Sequence, residues 1–261
     1  MTTSIDRYKT LGVQYSWVKD YFDKKNNFWD NNSLGTMMLS PLKAFLADSG
    51  VSQRGKITPF GELVSTLGID TETAWALMLC NAAYTSEINW WMKNISFNRS
   101  YTPAEIITLL TDDVPSEKSR KNVVSAFKNI CSSNSILGER IGLGHCNSEQ
   151  KGRVTHLLDI TRTVWSSPDP LVILYSLYKF AEACEGYYQF TLTTLMDDTI
   201  ERGGISPTEI FGLSADTMEK LLNGLSINHP EFITCSFKMD LDSITLRPDK
   251  TSDDVLALFE A

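Results

Sequence analysis

The sequence predicts a mainly α protein, a helical bundle with winged-helix-like modules and a small C-terminal β-hairpin wing. Three observations predict it. Cap-plus-proline signals recur along the chain, apolar residues follow them at helical spacing, and strand signals are few and gathered late. Thr102-Pro103-Ala104-Glu105 sets a capping hydroxyl, a first-turn proline and a reciprocating carboxylate at capping-box spacing, and Ser206-Pro207-Thr208-Glu209 repeats the device. Helices are therefore expected to begin near 103 and 207. Ser40-Pro41, Thr58-Pro59 and Asp169-Pro170 carry the cap and proline alone.

Taken in order, the first helical signal is Pro41 with Leu42, Phe45 and Leu46. A turn at Gln53-Arg54-Gly55-Lys56 follows, then a helix from Pro59 with Leu63, Val64 and Leu67. This front stretch is an incomplete helix-turn-helix. Further helices are expected over 71–83, 86–95, 117–131, 214–225 and 252–259. Ser132–Gly152 is polar, with Gly138, Gly142, Gly144 and Gly152, and reads as a linker. It divides an N-terminal helical domain, 1–140, from a C-terminal winged-helix-like domain, 153–261. Arg153–Val164 has weak strand character. From 206 the order is short helix, turn at Gly212, helix, then strands at Phe232–Phe237 and Ser243–Arg247 around Met239-Asp240-Leu241-Asp242, which is the order of a winged helix.

Composition bounds the function. The 261 residues include 42% hydrophobic and 21% charged side chains, which excludes wholesale disorder. A net charge of −8, from 24 basic and 32 acidic residues, argues against a protein that coats nucleic acid non-specifically. The excess is not uniform: residues 1–150 hold 15 of each sign, so all of it falls in the remainder. The N-terminal residues do not read as a secretion signal, and the apolar stretches Ala74–Ala83 and Leu171–Phe180 fall short of the ~20 residues that span a bilayer. A cytoplasmic protein without membrane contact is expected. Cys80, Cys131, Cys146, Cys184 and Cys235 are scattered and expected to be reduced and mostly buried.

Enzyme motifs are missing: no phosphate loop, no His-Glu-x-x-His, no Gly-x-Ser-x-Gly. Gly142-Leu143-Gly144 starts a dinucleotide fingerprint that Asn147 breaks. His145, Cys146 and His156 lack the paired spacing of a zinc site, and Asp197, Asp198 and Glu201 read as a charged helix end. No catalytic residue, metal site or cofactor is assigned. The aromatics Tyr15, Trp17, Tyr21, Phe22, Phe28, Trp29, Trp90 and Trp91 recur at helical spacing and read as packing rather than base-stacking platforms.

One surface stands out. The helix expected over 117–131 sets Val123, Val124, Phe127 and Ile130 on one side and Lys118, Lys121, Ser125 and Lys128 along the other, with Arg120 counted among the cations. Cations for phosphates and short polar groups for base edges make Lys118, Arg120, Lys121, Ser125 and Lys128 the candidate nucleic-acid contacts. Helix 214–225 offers Asp216 and Glu219 against a single Lys220, and would face protein rather than DNA.

The chain also resembles a known family over about residues 28–259. The residues that carry this are Trp29 with Leu34-Gly35, Pro41-Leu42-Lys43-Ala44-Phe45-Leu46, Thr58-Pro59-Phe60-Gly61, Ala74-Trp75-Ala76-Leu77, Ser116-Glu117-Lys118-Ser119, Leu174-Tyr175-Ser176-Leu177-Tyr178, Ile210-Phe211-Gly212-Leu213 and Lys250-Thr251-Ser252-Asp253-Asp254. They resemble a family of unknown molecular function from bacterial DNA phosphorothioation and phage-defence islands, found alone or fused C-terminally to phosphoadenosine-phosphosulfate-reductase-like proteins. The nucleotide loop and cluster cysteines of the reductase portion are absent: Arg202-Gly203-Gly204-Ile205 is no such loop. The resemblance therefore implies a non-catalytic accessory or adaptor protein, binding a protein partner and possibly DNA. Its alternative is a subunit that completes a reductase-like sulfur-transfer enzyme.

Overall fold

The computed structural model describes residues 4–152, 154–197, 203–238 and 241–260. The chain is mainly α with small antiparallel sheets, and it divides into two compact units, Met1–Val164 and Trp165–Ala261.

The first unit runs α1 Tyr15–Lys24, α2 Thr36–Asp48, β1 Ser52–Gln53, β2 Lys56–Ile57, α3 Pro59–Leu67, α4 Glu72–Ala82 and α5 Ser86–Asn94. It continues with β3 Ser100–Tyr101, α6 Pro103–Leu109, α7 Glu117–Ser133, a π-helical turn Ile136–Arg140, β4 His145–Lys151 and β5 Val154–Thr161. The capping box at Thr102 is formed. Its hydroxyl accepts from Glu105 N at 3.3 Å, and the Glu105 carboxylate accepts from Thr102 N at 2.8 Å. Thr58 caps α3 as expected, accepting from Gly61 N. Pro41 does not start a helix: α2 begins at Thr36, so the proline sits inside it. The carbonyl it leaves without a helical donor belongs to Met37, a residue largely open to water. The expected turn at 53–56 is a two-stranded hairpin, with Ser52 opposite Ile57 and Gln53 opposite Lys56.

The front aromatics pack inward. Tyr21 and Phe28 are fully buried with ring centroids 5.6 Å apart, and Trp75 and Trp91 lie in the same unit's core. Arg162 is buried to 1% exposure beyond the end of α5, where its Nη1 donates to Met92 O at 3.2 Å and Ile95 O at 3.1 Å. A cation at a helix C-terminus satisfies the last carbonyls and the negative end of the dipole. The same guanidinium lies 3.8 Å from the Phe97 ring centroid.

The stretch Ser132–Gly152 is not a linker. It holds the end of α7, the π-helical turn and β4, which pairs with β5 from His145 opposite Thr161 to Lys151 opposite Val154. The division between units falls at Val164, after that hairpin. The boundary read from glycine and polar content lies too early because β4, His-Cys-Asn-Ser-Glu-Gln-Lys, has no Val, Ile, Thr, Phe, Tyr or Trp. Pairing with β5, and not propensity, makes it a strand. β3 completes this sheet in the order β3-β5-β4.

The second unit runs α8 Pro170–Ala183, β6 Gln189–Phe190, α9 Leu192–Met196, α10 Pro207–Phe211, α11 Ala215–Asn228, β7 Ile233–Lys238, β8 Leu241–Leu246, α12 Ser252–Leu256 and a final 3-10 turn Ala257–Phe259. Asp169 and Ser206 cap α8 and α10 as expected, the latter in a full capping box. Gly212 takes the left-handed conformation, φ 69°, that ends α10 and starts the turn into α11. The expected hairpin is β7 with β8, joined by β6 in the order β6-β8-β7. Met239 and Asp240 at its tip lie outside the described residues. Val172, Ile173, Leu174, Leu177 and Phe180 of α8 are buried, with Trp165 against Phe211 at 4.9 Å between centroids. Tyr178 donates to Phe232 O at 2.8 Å, tying α8 to the residue before β7.

Candidate nucleic-acid interface

The segment singled out in the sequence is the helix α7. Ser116 caps it by accepting from Ser119 N at 3.3 Å. Val123, Val124, Ala126, Phe127 and Ile130 are buried, and Phe127 stacks on Trp91 of α5. Asn122 and Asn129 hold the N-terminal segment: the Thr10 hydroxyl donates to Asn122 Oδ1 at 2.7 Å, and Asn129 Nδ2 donates to Thr10 O at 3.0 Å.

Of the five candidate contacts, Lys118 and Lys121 are exposed, and Ser125 and Lys128 are half-buried. Lys121 pairs with Glu117 at 2.6 Å, one turn earlier, and the Lys121 ammonium holds the Glu117 carboxyl below its ordinary range. Lys128 Nζ reaches Thr155 O on β5 at 3.3 Å, so the hairpin lies alongside the same helix face. Arg120 differs from the other four in holding two backbone carbonyls of its own unit. Its Nη1 donates to Val114 O at 2.7 Å and Pro115 O at 2.9 Å, closing the turn before α7. Spacing explains this: position 120 is three, four and seven residues before 123, 124 and 127, which are the buried face.

Sequence reasoning missed the hairpin beside α7. It presents Asn147, Ser148, Gln150, Lys151, Thr155 and His156 to solvent. Only the weak strand character of Arg153–Val164 signalled it. Also missed is an open cleft of about 810 Å³ at α2 and the β1–β2 hairpin, where Lys43, Arg54 and Lys56 gather beside Trp29. Lys43 Nζ lies 4.9 Å from the centre of the Trp29 ring. A cation over an aromatic face, with two more cations nearby and Asp30 opposing them, is chemistry suited to a weakly held anion.

The metal alternatives are not brought together. His145 lies opposite Thr161 and His156 opposite Glu149, at separate rungs of the hairpin. Asp198 and Glu201 lie outside the described residues. Among the described residues, no three His, Cys, Asp or Glu side chains converge as metal ligands, and no helix is long and apolar enough to cross a membrane. Cys80 and Cys131 are buried, and Cys146, Cys184 and Cys235 are half-buried.

The charge division sharpens at the structural boundary. Residues 1–164 hold 18 basic and 16 acidic side chains, and residues 165–261 hold 6 and 16. In the second unit, α11 exposes Asp216 and Glu219 with Lys220. Comparison of the chain with known proteins finds no matching family model, no matching curated protein and no matching solved structure.

Proposed function

We propose that the two units are winged-helix modules of unlike charge, and that the chain is a non-catalytic adaptor joining nucleic acid to a protein partner. One observation carries the reading. Each unit contains, in order, a helix, a two-residue strand, a helix, a longer helix and a hairpin: α5-β3-α6-α7-β4-β5 in the first, α8-β6-α10-α11-β7-β8 in the second, where α9 is an insertion. In both sheets the short strand pairs with the last strand of the hairpin. A winged helix has this order, and its longer helix is the element that enters a major groove.

Charge separates the two roles. The longer helix of the first module presents Lys118, Lys121 and Lys128, and its counterpart in the second presents Asp216 and Glu219. A module with 16 acidic and 6 basic residues repels phosphate and favours a basic protein surface, speeding encounter and rejecting wrong partners. Together with the resemblance noted above, this supports an accessory role in a bacterial DNA-modification or phage-defence system, in the cytoplasm.

The test is fluorescence anisotropy with duplex DNA at low salt, comparing the wild type with Lys118→Glu/Lys121→Glu. The double variant is expected to bind at least tenfold more weakly, with the salt dependence of log affinity shallower by about 2, as two phosphate contacts are lost. Equal binding by both proteins, or none by either, removes the nucleic-acid half of the proposal.

A further inference from the structure

The open cleft at α2 and the β1–β2 hairpin gathers positive charge that its surroundings leave uncompensated. Lys43, Arg54 and Lys56 line it, all three are exposed, and none forms an ion pair among the described residues. Carboxylates of the adjoining elements are engaged elsewhere: Glu62 of α3 pairs with Lys25 at 2.5 Å, and Asp48 of α2 with Arg7 at 2.7 Å. Asp30 is the one acidic side chain among the described residues of the lining, so three cations and one carboxylate leave a charge of +2. The walls are set by internal bonds. Trp29 Nε1 donates to Gly55 O at 2.5 Å, and Ile57 N donates to Asn26 Oδ1 at 3.1 Å, tying the hairpin to the segment after α1. Arg54 and Gly55 have φ of 52° and 81°, the pair of positive values that a two-residue hairpin turn requires. Lys43 reaches the same indole from α2, with its Nζ 4.9 Å from the ring centre. Groups held in place before binding lose little freedom when the site fills.

We propose that this cleft binds a small sugar phosphate, with Lys43, Arg54 and Lys56 around the phosphomonoester and Asp30 accepting hydrogen bonds from sugar hydroxyls. Charge selects the anion. A phosphomonoester carries about −1.5 to −2 at pH 7, which the +2 of the cleft matches, whereas a carboxylate or a backbone phosphodiester carries a single negative charge. The guanidinium offers a planar fork to two phosphate oxygens, and the two ammonium groups act as point charges. Asp30 repels phosphate and accepts from hydroxyls, so it faces the uncharged part of the molecule. At about 810 Å³ the cleft has the size of a small-molecule site. The same chemistry occurs at the 5′-phosphorylated end of a nucleic-acid strand, whose terminal unit is also a sugar phosphate. The inference does not depend on DNA binding by α7.

The test titrates the full-length, isotopically labelled protein with ribose 5-phosphate and follows the Trp29 indole N–H and the Gly55 amide by NMR. Expected are saturable shifts at both, with a Kd in the millimolar range or tighter. Ribose, which has no phosphate, and dimethyl phosphate, a diester, are expected to bind at least tenfold more weakly. Lys43→Glu/Lys56→Glu is expected to lose at least tenfold in affinity, and Lys93→Glu, an exposed charge reversal on α5, to match wild type. Circular dichroism checks the fold; if the double reversal does not fold, Lys43→Gln/Lys56→Gln decides. A 5′-phosphorylated oligothymidylate, compared with its 5′-hydroxyl form, separates the two sources. Binding tighter than that of ribose 5-phosphate and dependent on the 5′-phosphate identifies a strand end, and weaker binding identifies a free sugar phosphate. Absence of shifts with ribose 5-phosphate, equal binding of dimethyl phosphate, or unchanged affinity in the folded lysine variant overturns the proposal.

Discussion

Trp91 and Phe127 stack with ring centroids 3.7 Å apart and planes 12° from parallel, so the buried face of α7 is held against α5 by two aromatic rings. Phe127 is fully buried, and Trp91 Nε1 donates to Leu143 O at 2.9 Å, just before β4. One contact thus joins the two helices and the base of the hairpin. Replacing Phe127 with Ala is expected to destabilise the protein by about 3–5 kcal/mol, through lost burial and the cavity left behind. Urea unfolding followed by circular dichroism measures it, with Lys118→Ala as a surface control expected within about 0.5 kcal/mol of wild type.

Arg120 and its neighbours Lys118 and Lys121 should separate cleanly. The Arg120 guanidinium donates to Val114 O and Pro115 O, so Arg120→Ala is expected to lower stability by about 1.5–3 kcal/mol, the range for hydrogen bonds to a charged group. Under conditions where the variant is folded, its affinity for duplex DNA should stay within about twofold of wild type. A loss of affinity as large as that of Lys118→Glu/Lys121→Glu would show that Arg120 contacts the nucleic acid.

Glu87, on the first turn of α5, makes stability depend on pH. It is 0% exposed, and its Oε2 accepts from the backbone N–H groups of Asp6 at 3.1 Å, Arg7 at 2.5 Å and Tyr8 at 3.1 Å. Burial pushes its carboxyl up to about 7, against those three donors and with the help of the nearby Asp6 charge. Glu87 Oε1 and Asp6 Oδ1 are buried without hydrogen-bond partners among the described residues, a setting that favours the protonated acid. In the unfolded chain the group titrates near 4.5. The folded state therefore holds the proton more tightly: its contribution is fully present below about pH 4.5 and is lost as pH rises to about 7. The loss is about 3 kcal/mol, at 1.36 kcal/mol for each unit of difference. Urea unfolding at pH 5, 6 and 7 is expected to show wild-type stability falling relative to Glu87→Gln across this window. Parallel pH profiles for the two proteins would show that Glu87 ionises normally.

Much of the helical frame was legible because its signals are local. The capping boxes at Thr102 and Ser206, the caps before Pro59 and Pro170, the apolar series of α7 and the left-handed turn at Gly212 depend on neighbours within one or two turns. The hairpin β7–β8 was legible for the same reason, since β-forming residues flank a short turn. Arg120 was also legible in principle, because helical periodicity places it with the buried face. Its charge obscured what its position showed.

By itself, then, the sequence determined a mainly α chain, where most helices begin, the polar face of α7 and an unequal distribution of charge. Tertiary structure alone decided the rest. It made a strand of the polar segment His145–Lys151 by pairing it with β5, and so moved the boundary to Val164. It buried Glu87 beneath the backbone of Asp6 to Tyr8, residues some 80 positions away. It also packed the base of the β4–β5 hairpin against the end of α7, through the close approach to Cys131 that Gly138 and Gly144 permit. These features depend on contacts between elements, and local propensity and periodicity hold no record of which surfaces will meet.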